Sequence, residues 1–159
     1  MKTPRVYIDT SVLGGCFEAK FAPWSNRLVE DFRAGRLIPV MSDLLANEIG
    51  KAPEHVREAH AELFPISEGI VAGEQALRLA DAYQAHAVLG PRYRGDMEHI
   101  ALATVADVDV LVSWNFKHIV RFDKIRLFNA VNLALGYKAL TIHSPREVTT
   151  HGQAGNQSG

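Results

Sequence analysis

The stretch Arg5-Val-Tyr-Ile-Asp-Thr-Ser11 decides the fold more than any other part of the 159-residue chain. Its first half is a run of β-branched and aromatic residues, which predicts a strand from Arg5 to Ile8. The strand ends directly at Asp9, where a carboxylate is costly unless it is hydrogen-bonded, paired or bound to a metal ion. The alternative is that Asp9 caps the turn into the next segment, together with Thr10 and Ser11.

Beyond this stretch, strand-like and helix-like patterns alternate along the chain. Gly14 and Gly15 are expected to interrupt regular structure after the first strand. Further strands are predicted at Leu37–Met41, Asp109–Ser113 and Leu140–His143. Helices are predicted from Pro23 to about Gly35, after the N-cap Ser42, and at Glu54–Leu63, Gly73–Ala87, Asp96–Ala106 and residues 125–135, with a loop at Val88–Gly95. This alternation predicts an α/β sandwich with a mainly parallel central sheet.

Composition limits the size of the protein and the kinds of partner it can have. A chain of 159 residues that is 47% hydrophobic fits one domain, assigned to residues 1–148, with a polar tail at 149–159 that is expected to be disordered. The single cysteine cannot form an internal disulfide, which favours a reducing, cytoplasmic setting. The net charge of −1 lacks the basic excess of a general nucleic-acid binder, and no apolar run is long enough to span a membrane.

Three acidic residues are spaced so that they can meet at one edge of the predicted sheet. Asp9 follows the first strand, Glu48 lies on the helix after the second, and Asp96 begins a later helix. Clustered carboxylates repel one another and need a cation, and their oxygens select Mg²⁺ or Mn²⁺ over Zn²⁺. Taken singly, Glu48 can be a solvated residue or a partner of Lys51, and Asp96 can be an N-cap.

Four segments of the chain resemble the PIN-domain family, most closely its VapC-like toxin branch. In the family's order they are Val6-Tyr-Ile-Asp-Thr-Ser-Val12, Leu44-Leu-Ala-Asn-Glu-Ile49, Gly95-Asp-Met-Glu-His-Ile-Ala-Leu-Ala103 and Leu111-Val-Ser-Trp-Asn-Phe116. The resemblance implies a PIN-like, Rossmann-like three-layer sandwich and a Mg²⁺- or Mn²⁺-dependent endoribonuclease. It also implies the toxin of a type II toxin-antitoxin pair, with a cognate antitoxin and a homodimer as partners.

The resemblance also assigns roles to particular residues. Asp9, Glu48 and Asp96 match three acidic metal-site positions of the family, and Ser11 matches a hydroxyl residue that supports the first acid. Asn115 stands where many members carry a fourth acidic residue. Its amide offers a carbonyl oxygen but no negative charge, so a second cation is expected to bind more weakly than the first.

Two other residues near these positions bear on the site. Asp123 is close enough in sequence to compensate for the missing fourth acid. His99 lies three residues after Asp96, on the same side of the predicted helix. Because the expected metal is a hard cation, His99 is predicted to orient or support the site rather than to bind the ion.

Local basic residues offer contacts for RNA phosphates despite the neutral overall charge. Arg92 and Arg94 precede Asp96, and Lys117 and Arg121 follow Asn115 together with His118, Lys124 and Arg126. The alternative is a solvated surface balanced by nearby acids. Trp114 can stack on a base or pack as core or rim.

Two other functions remain open from the sequence. One is a PIN-fold module that binds RNA or a protein with little or no turnover, which Asn115 favours. The other is an α/β protein that binds a nucleotide or phosphorylated metabolite. That second function lacks support, because Gly14-Gly15 is not a dinucleotide-binding or P-loop pattern.

Overall fold

The computed structural model describes residues 2–149, and the structural statements below concern that part of the chain. Its strands are β1 (Arg5–Ile8), β2 (Ile38–Ser42), β3 (Glu68–Ile70), β4 (Val110–Val112) and β5 (Ile142–His143). Its helices are α1 (Thr10–Gly15), α2 (Ala22–Arg33), α3 (Asp43–Ile49), α4 (Glu54–Leu63), α5 (Glu74–Ala85), α6 (Arg94–Val105) and α7 (Phe122–Ala134). Short 3₁₀ turns lie at Phe64–Ile66 and Pro91–Tyr93, and residues 145–149 are helical.

The strands form one five-stranded parallel sheet in the order β3-β2-β1-β4-β5. β1 lies at the centre and pairs with β2 on one side and β4 on the other. Ile8 is in register with Val112, so Asp9 and Ser113 leave neighbouring strands side by side. The predicted α/β architecture with a parallel central sheet is therefore confirmed.

Alternating side chains of the strands divide the core into two layers. Tyr7 packs into a cluster built largely from α5, α6 and α7, with Leu79, Ile100 and Phe128 among its members. Its neighbours Val6 and Ile8 point into a second cluster formed with α1 to α4. The sheet is therefore covered by helices on both faces, as a parallel sheet requires.

Two elements of the structure, α1 and β3, were not predicted from the sequence. The helix α1 forms where the glycine pair was expected to interrupt structure, because Val12 and Leu13 are fully buried against the sheet. The strand β3 is three residues long and pairs in parallel with β2. An ion pair between Glu68 and Arg5 ties this edge strand to the central strand.

The start of α6 also differs from the prediction. The helix begins at Arg94 rather than at Asp96, so the predicted loop at Val88–Gly95 ends two residues early. Tyr93 occupies the N-cap position and Asp96 lies within the first turn, which makes the N-cap explanation of Asp96 wrong.

The C-terminal end of the described chain packs against the domain. Thr149, the first residue of the predicted tail, is buried and its hydroxyl donates to the Pro145 carbonyl oxygen at 2.7 Å. The remainder of that tail, residues 150–159, lies outside the described residues. Within residues 2–149, no helix combines the length and the apolar character needed to cross a membrane.

Candidate active site

Asp9 leaves the carboxyl end of the central strand and is buried, with 6% of its surface exposed. Its Oδ1 accepts a hydrogen bond from the Ser11 hydroxyl and its Oδ2 accepts one from the Ser113 hydroxyl, each at 2.6 Å. Burial raises the pKa of Asp9 above its usual range, although these hydroxyls and His99 act in the opposite direction. Asp9 stands at the N-cap position of α1, but its side chain does not cap that helix, so the capping explanation is wrong.

Both serine hydroxyls that contact Asp9 are oriented by backbone donors. Ser11 Oγ accepts the N–H of Trp114, and Ser113 Oγ accepts the N–H of Asn115, each at 2.9 Å. With their oxygens engaged in this way, the two hydroxyl protons point at the carboxylate. Asp9 is therefore held rigidly between the ends of β1 and β4.

Glu48 projects from α3 toward the same edge of the sheet. Its Oε1 accepts a hydrogen bond from Thr10 Oγ1 at 2.5 Å and lies 2.9 Å from His99 Nε2. Partial burial alone would raise the pKa of Glu48, but the hydrogen bonds from His99 and Thr10 outweigh it and the pKa falls below its usual range. Glu48 is therefore tied into the protein, rather than solvated or paired with Lys51.

His99 connects Glu48 with the interior of the sheet. The ring is almost fully buried, and its Nδ1 lies 2.6 Å from the Tyr7 hydroxyl. Burial lowers the pKa of His99, but the hydrogen bond and charge of Glu48, together with the charges of Asp9 and Asp96, raise it above its usual range. The imidazole thus lies within the field of all three acidic residues.

Asp96 reaches the site from the first turn of α6. Burial raises the pKa of Asp96, and the nearby charge of Asp9 raises it further, while His118 and the side-chain amide of Asn115 lower it. The carbonyl Oδ1 of Asn115 accepts the backbone N–H of His118 at 2.9 Å, so this oxygen is already engaged within the loop. Asn115 thus lies near Asp96 without adding a negative charge to the site.

The three acids share one edge of the sheet without forming a closed set of ligands. In the part of the chain from residue 2 to 149, no three side chains of the His, Cys, Asp and Glu types are grouped to hold a metal ion. Gly95 lies beside the start of α6. A Cβ added to Gly95 would lie 3.7 Å from the second oxygen of Glu48, Oε2. The donor atoms of these acids are all oxygens, which hard cations prefer. Two of the carboxylates, Asp9 and Asp96, have raised pKa values, and a bound cation would stabilise their charged forms.

Two of the four arginine and lysine residues predicted to contact RNA are bound to carboxylates of the chain itself. Arg94 pairs with Asp81 at 2.7 Å and with Glu98 at 3.0 Å. Arg121 pairs with Asp123 at 2.8 Å, and this pair is exposed. Asp123 thus neutralises an arginine, which does not support the idea that it replaces a missing fourth acid.

The other two predicted contacts lie near Asp96 and are exposed. Lys117 lies in the loop between β4 and α7, directly before His118. The Arg92 guanidinium lies 5.4 Å from the Tyr93 ring centre. The Tyr93 and His118 rings are in contact, with centres 3.9 Å apart and planes tilted by 38°. A group of two aromatic rings and two exposed cations therefore borders the acidic edge.

Trp114 packs into the protein rather than lying open to a nucleobase. It is 7% exposed, its indole N–H donates to Ser25 Oγ at 2.8 Å, and its ring stacks on Phe21 with centres 4.2 Å apart. The base-stacking alternative for this residue is therefore not supported. Its position instead fixes the backbone N–H that holds Ser11.

The sequence pattern assigns no role to Ser113 or Tyr7, and it gives Thr10 and His118 other roles, in a turn and among the basic residues. Ser113 had a usable signal, because it follows its strand just as Asp9 follows the neighbouring one. Thr10 is adjacent to Asp9, but nothing in the spacing reveals that its hydroxyl turns to Glu48. Tyr7 has the pattern of an ordinary core aromatic residue.

Comparisons with known proteins bear on the fold. No protein-family model and no curated protein matches the chain. Among solved structures, the fold is similar to that of a chain in the crystal structure of VapBC2 from Rickettsia felis bound to a DNA fragment from their promoter. The TM-score is 0.58 at 11% sequence identity, and the match covers 88% of this chain and 98% of the other. At this identity the likeness concerns the fold, which is PIN-like as the sequence resemblance implies.

Proposed function

We propose that this chain is a metal-dependent endoribonuclease of the VapC-like PIN type, which hydrolyses phosphodiester bonds in RNA. The observation that carries the proposal is that Asp9, at the carboxyl edge of a parallel sheet, lies within the electrostatic field of Glu48 and interacts with the charge of Asp96. This is the edge at which α/β proteins place their sites. The likeness of the fold to a chain of VapBC2 supports the same family.

A single divalent cation, Mg²⁺ or Mn²⁺, is the cofactor that these donors fit best. Asp9 and Asp96 would hold it, because their raised pKa values report burial and mutual repulsion that a cation offsets. Glu48 would contribute through a water molecule, since its Oε1 is held by Thr10 and His99. When bound, the cation lowers the pKa of a water molecule and offsets charge on the phosphate.

The surrounding side chains position the acids for this chemistry. Ser11 and Ser113 each donate to one oxygen of Asp9, so the carboxylate is held in a defined orientation. Asn115 lies near Asp96 and gives no negative charge, which favours one tightly bound cation over two. In-line attack by water would leave products with a 5′ phosphate and a 3′ hydroxyl.

The substrate would approach across the loops that border Asp96. Lys117 and Arg92 are the exposed cations on that side, and they are suited to hold phosphates flanking the scissile bond. Arg94 and Arg121 are less suited, because each is already paired with acidic side chains. Single-stranded or looped RNA is the expected class, because its bases are accessible.

A protein antitoxin is the expected partner, in a cytoplasmic toxin-antitoxin pair. The structural neighbour is a VapBC2 assembly, and this chain lacks the strong positive charge of a DNA-binding protein. A homodimer is also expected from the family resemblance. The apolar residues Leu28 and Phe32 of α2 are buried in the core, so they would not supply such an interface. The exposed apolar side chains Phe122, Leu127 and Leu133 of α7 are available for one.

Cleavage of a mixed set of fluorescent RNAs by purified protein tests the proposed activity. The reactions contain Mg²⁺, Mn²⁺ or EDTA, and the variants are Asp9→Asn and Asp96→Asn. We expect cleavage that requires a metal ion and falls by orders of magnitude in either variant. The matched control is Asp123→Asn, because Asp123 is an exposed acid paired with Arg121.

The outcomes separate the proposal from its main alternative. Cleavage that persists in EDTA, or in Asp96→Asn at the full rate, contradicts the assignment. A folded protein that binds Mn²⁺ and RNA without cleaving any member of the set supports a PIN-fold binding module instead. The uncharged Asn115 beside Asp96, and the lack of a ready three-ligand group within residues 2–149, are the observations that favour this second function.

A further inference from the structure

The buried hydroxyl of Tyr7 belongs to a series of hydrogen bonds that reaches the site from inside the sheet. Tyr7 lies in the central strand β1 and is fully buried. Its hydroxyl lies 2.9 Å from Ser42 Oγ and 2.6 Å from His99 Nδ1. On the other side of the imidazole, Nε2 lies 2.9 Å from Glu48 Oε1. Two strand ends and two helices are thus joined in one series.

The directions of these bonds follow from counting donors and acceptors. Ser42 Oγ accepts the N–H of Leu45, so its own proton is available to the Tyr7 oxygen. The Tyr7 proton then points at His99 Nδ1, and the ring carries its proton on Nε2, facing the carboxylate of Glu48. Every polar atom in the series has a partner, as buried polar groups require.

The contact with Glu48 does not depend on the charge of the ring. A second proton on the imidazole would sit on Nδ1 and reverse the bond to Tyr7. The Nε2 proton would remain on Glu48 in either case. What the Tyr7 hydroxyl supplies is therefore a fixed orientation of the ring, because Nδ1 is held whether it accepts or donates.

We propose that Tyr7 is a positioning residue, which acts through His99 to hold Glu48 in place at the metal site; this rests on the proposed function. A hydroxyl in the middle of an apolar core costs free energy unless it is hydrogen-bonded. Partners that orient the groups around a metal typically change its affinity by about 10- to 100-fold when they are removed. His99 is such a partner of Glu48, and Tyr7 holds His99 from the opposite side of the ring.

The first experiment observes the His99 ring directly, by ¹⁵N NMR of labelled histidine in the metal-free protein. The spectra are recorded at a pH at which His99 is neutral. We expect the proton of the neutral His99 on Nε2, with Nδ1 accepting a hydrogen bond. In Tyr7→Phe the Nε2 proton should exchange with water faster, because the ring is no longer held from behind. A neutral ring with its proton on Nδ1 would overturn the proposal.

The second experiment measures Mn²⁺ affinity in a series of variants. Tyr7→Phe should weaken binding by up to about 10-fold, the lower end of the range for groups that contact a ligand directly. The matched control is Tyr83→Phe, which removes the same group from another fully buried tyrosine, whose hydroxyl donates to Asn132 away from the site. Tyr83→Phe should leave the affinity unchanged even if it costs stability, so equal losses in the two variants would overturn the proposal.

Replacements of His99 show whether Tyr7 acts through the ring. In His99→Gln, the side-chain amide can donate to Glu48 and accept from Tyr7, so we expect affinity close to wild type. His99→Leu should lose affinity, and adding Tyr7→Phe to it should cost nothing more; additive losses would contradict the inference. A wild-type protein that binds no Mn²⁺ overturns the proposed function together with this inference. Wild-type binding that Tyr7→Phe leaves unchanged overturns this inference alone.

Discussion

The missing side chain of Gly15 lets α1 pack closely against Trp114. A Cβ at this position would lie 2.6 Å from Trp114 Nε1 and 2.7 Å from Ser25 Oγ, and these two atoms are hydrogen-bonded to each other. Trp114 directly follows Ser113, which holds Asp9. Packing at a single glycine is therefore coupled to the order of the acidic site.

Gly15→Ala should destabilise the protein by about 1–3 kcal/mol, since overpacking forces the neighbouring side chains to move. Urea unfolding of the metal-free protein measures the change. The matched control is Gly14→Ala in the same helix, where a Cβ meets nothing within 4 Å. That variant should be neutral or more stable by up to about 1 kcal/mol, because alanine is the better helix former. Equal effects of the two substitutions would contradict the packing described here.

The contribution of Asp96 to stability depends on pH in a definite direction. The pKa of Asp96 is raised, first by burial and then by the charge of Asp9. The folded protein therefore holds this proton more tightly than the unfolded chain does. The contribution of Asp96 to stability is greatest at low pH, and it is lost as pH rises from the unfolded pKa of about 3.9 to the raised folded value. Above that window the ionised carboxylate destabilises the metal-free protein.

Asp96→Asn should consequently raise the urea midpoint in EDTA at neutral pH, and the gain should disappear below about pH 3.9. Asparagine has nearly the same shape as aspartate, so the substitution removes mainly the charge. Asp123→Asn is the control, with an expected change within about 0.5 kcal/mol because Asp123 lies on the surface. A midpoint below that of the wild type at neutral pH would show that burial and repulsion do not dominate at Asp96.

At the level of secondary structure, elements with a strong periodic pattern could be predicted from the sequence. The helix at Glu54–Leu63 has the predicted bounds, and Ser42 caps α3 by accepting the N–H of Leu45 at 3.1 Å. Strands β1, β2 and β4 lie within one or two residues of their predicted positions. In these segments local propensity and tertiary packing favour the same structure.

The elements that escaped prediction are those in which tertiary contacts outweigh local preference. Two glycines in six residues disfavour a helix at α1, yet burial of Val12 and Leu13 stabilises it. The three residues of β3 include Gly69 and carry no alternating pattern, so only pairing with β2 defines them as a strand. No local signal in the sequence encodes either contact.

The loop between β4 and α7 carries the testable prediction for RNA binding. Lys117 is exposed in this loop, close to the residues that contact Asp96. Lys117→Ala should weaken binding of single-stranded RNA about equally for all sequences and reduce the slope of log affinity against log salt by about 1. Fluorescence anisotropy in EDTA measures binding without cleavage.

Arg121→Ala is the control for that experiment, because Arg121 lies four residues further on and is already paired with Asp123. We expect its salt slope to match the wild type. If Arg121→Ala loses as much RNA affinity as Lys117→Ala, the Arg121–Asp123 ion pair must open when RNA binds. The proposed route of the RNA phosphates along Lys117 would then be wrong.

At the scale of the whole molecule, topology explains how much of the site could be foreseen. In a parallel sheet the carboxyl ends of neighbouring strands meet, so acids that follow β1 and β2 are brought together from distant points in the sequence. Topology does not determine hydrogen-bond partners. The donation from Thr10 to Glu48 and the pairing of Arg94 with Asp81 depend on side-chain placement that spacing alone does not encode.

The central claim is that three carboxylates from three elements form one binding site for a hard cation. Its most direct test is a calorimetric titration of the metal-free protein with Mn²⁺, in the wild type and in Asp9→Asn, Asp96→Asn and Asp123→Asn. We predict binding of Mn²⁺ by the wild type and by Asp123→Asn. Binding should be weakened in Asp9→Asn and Asp96→Asn by more than the roughly 10- to 100-fold typical of outer partners. Absence of binding in the wild type, or equal affinity in all four proteins, would contradict the claim.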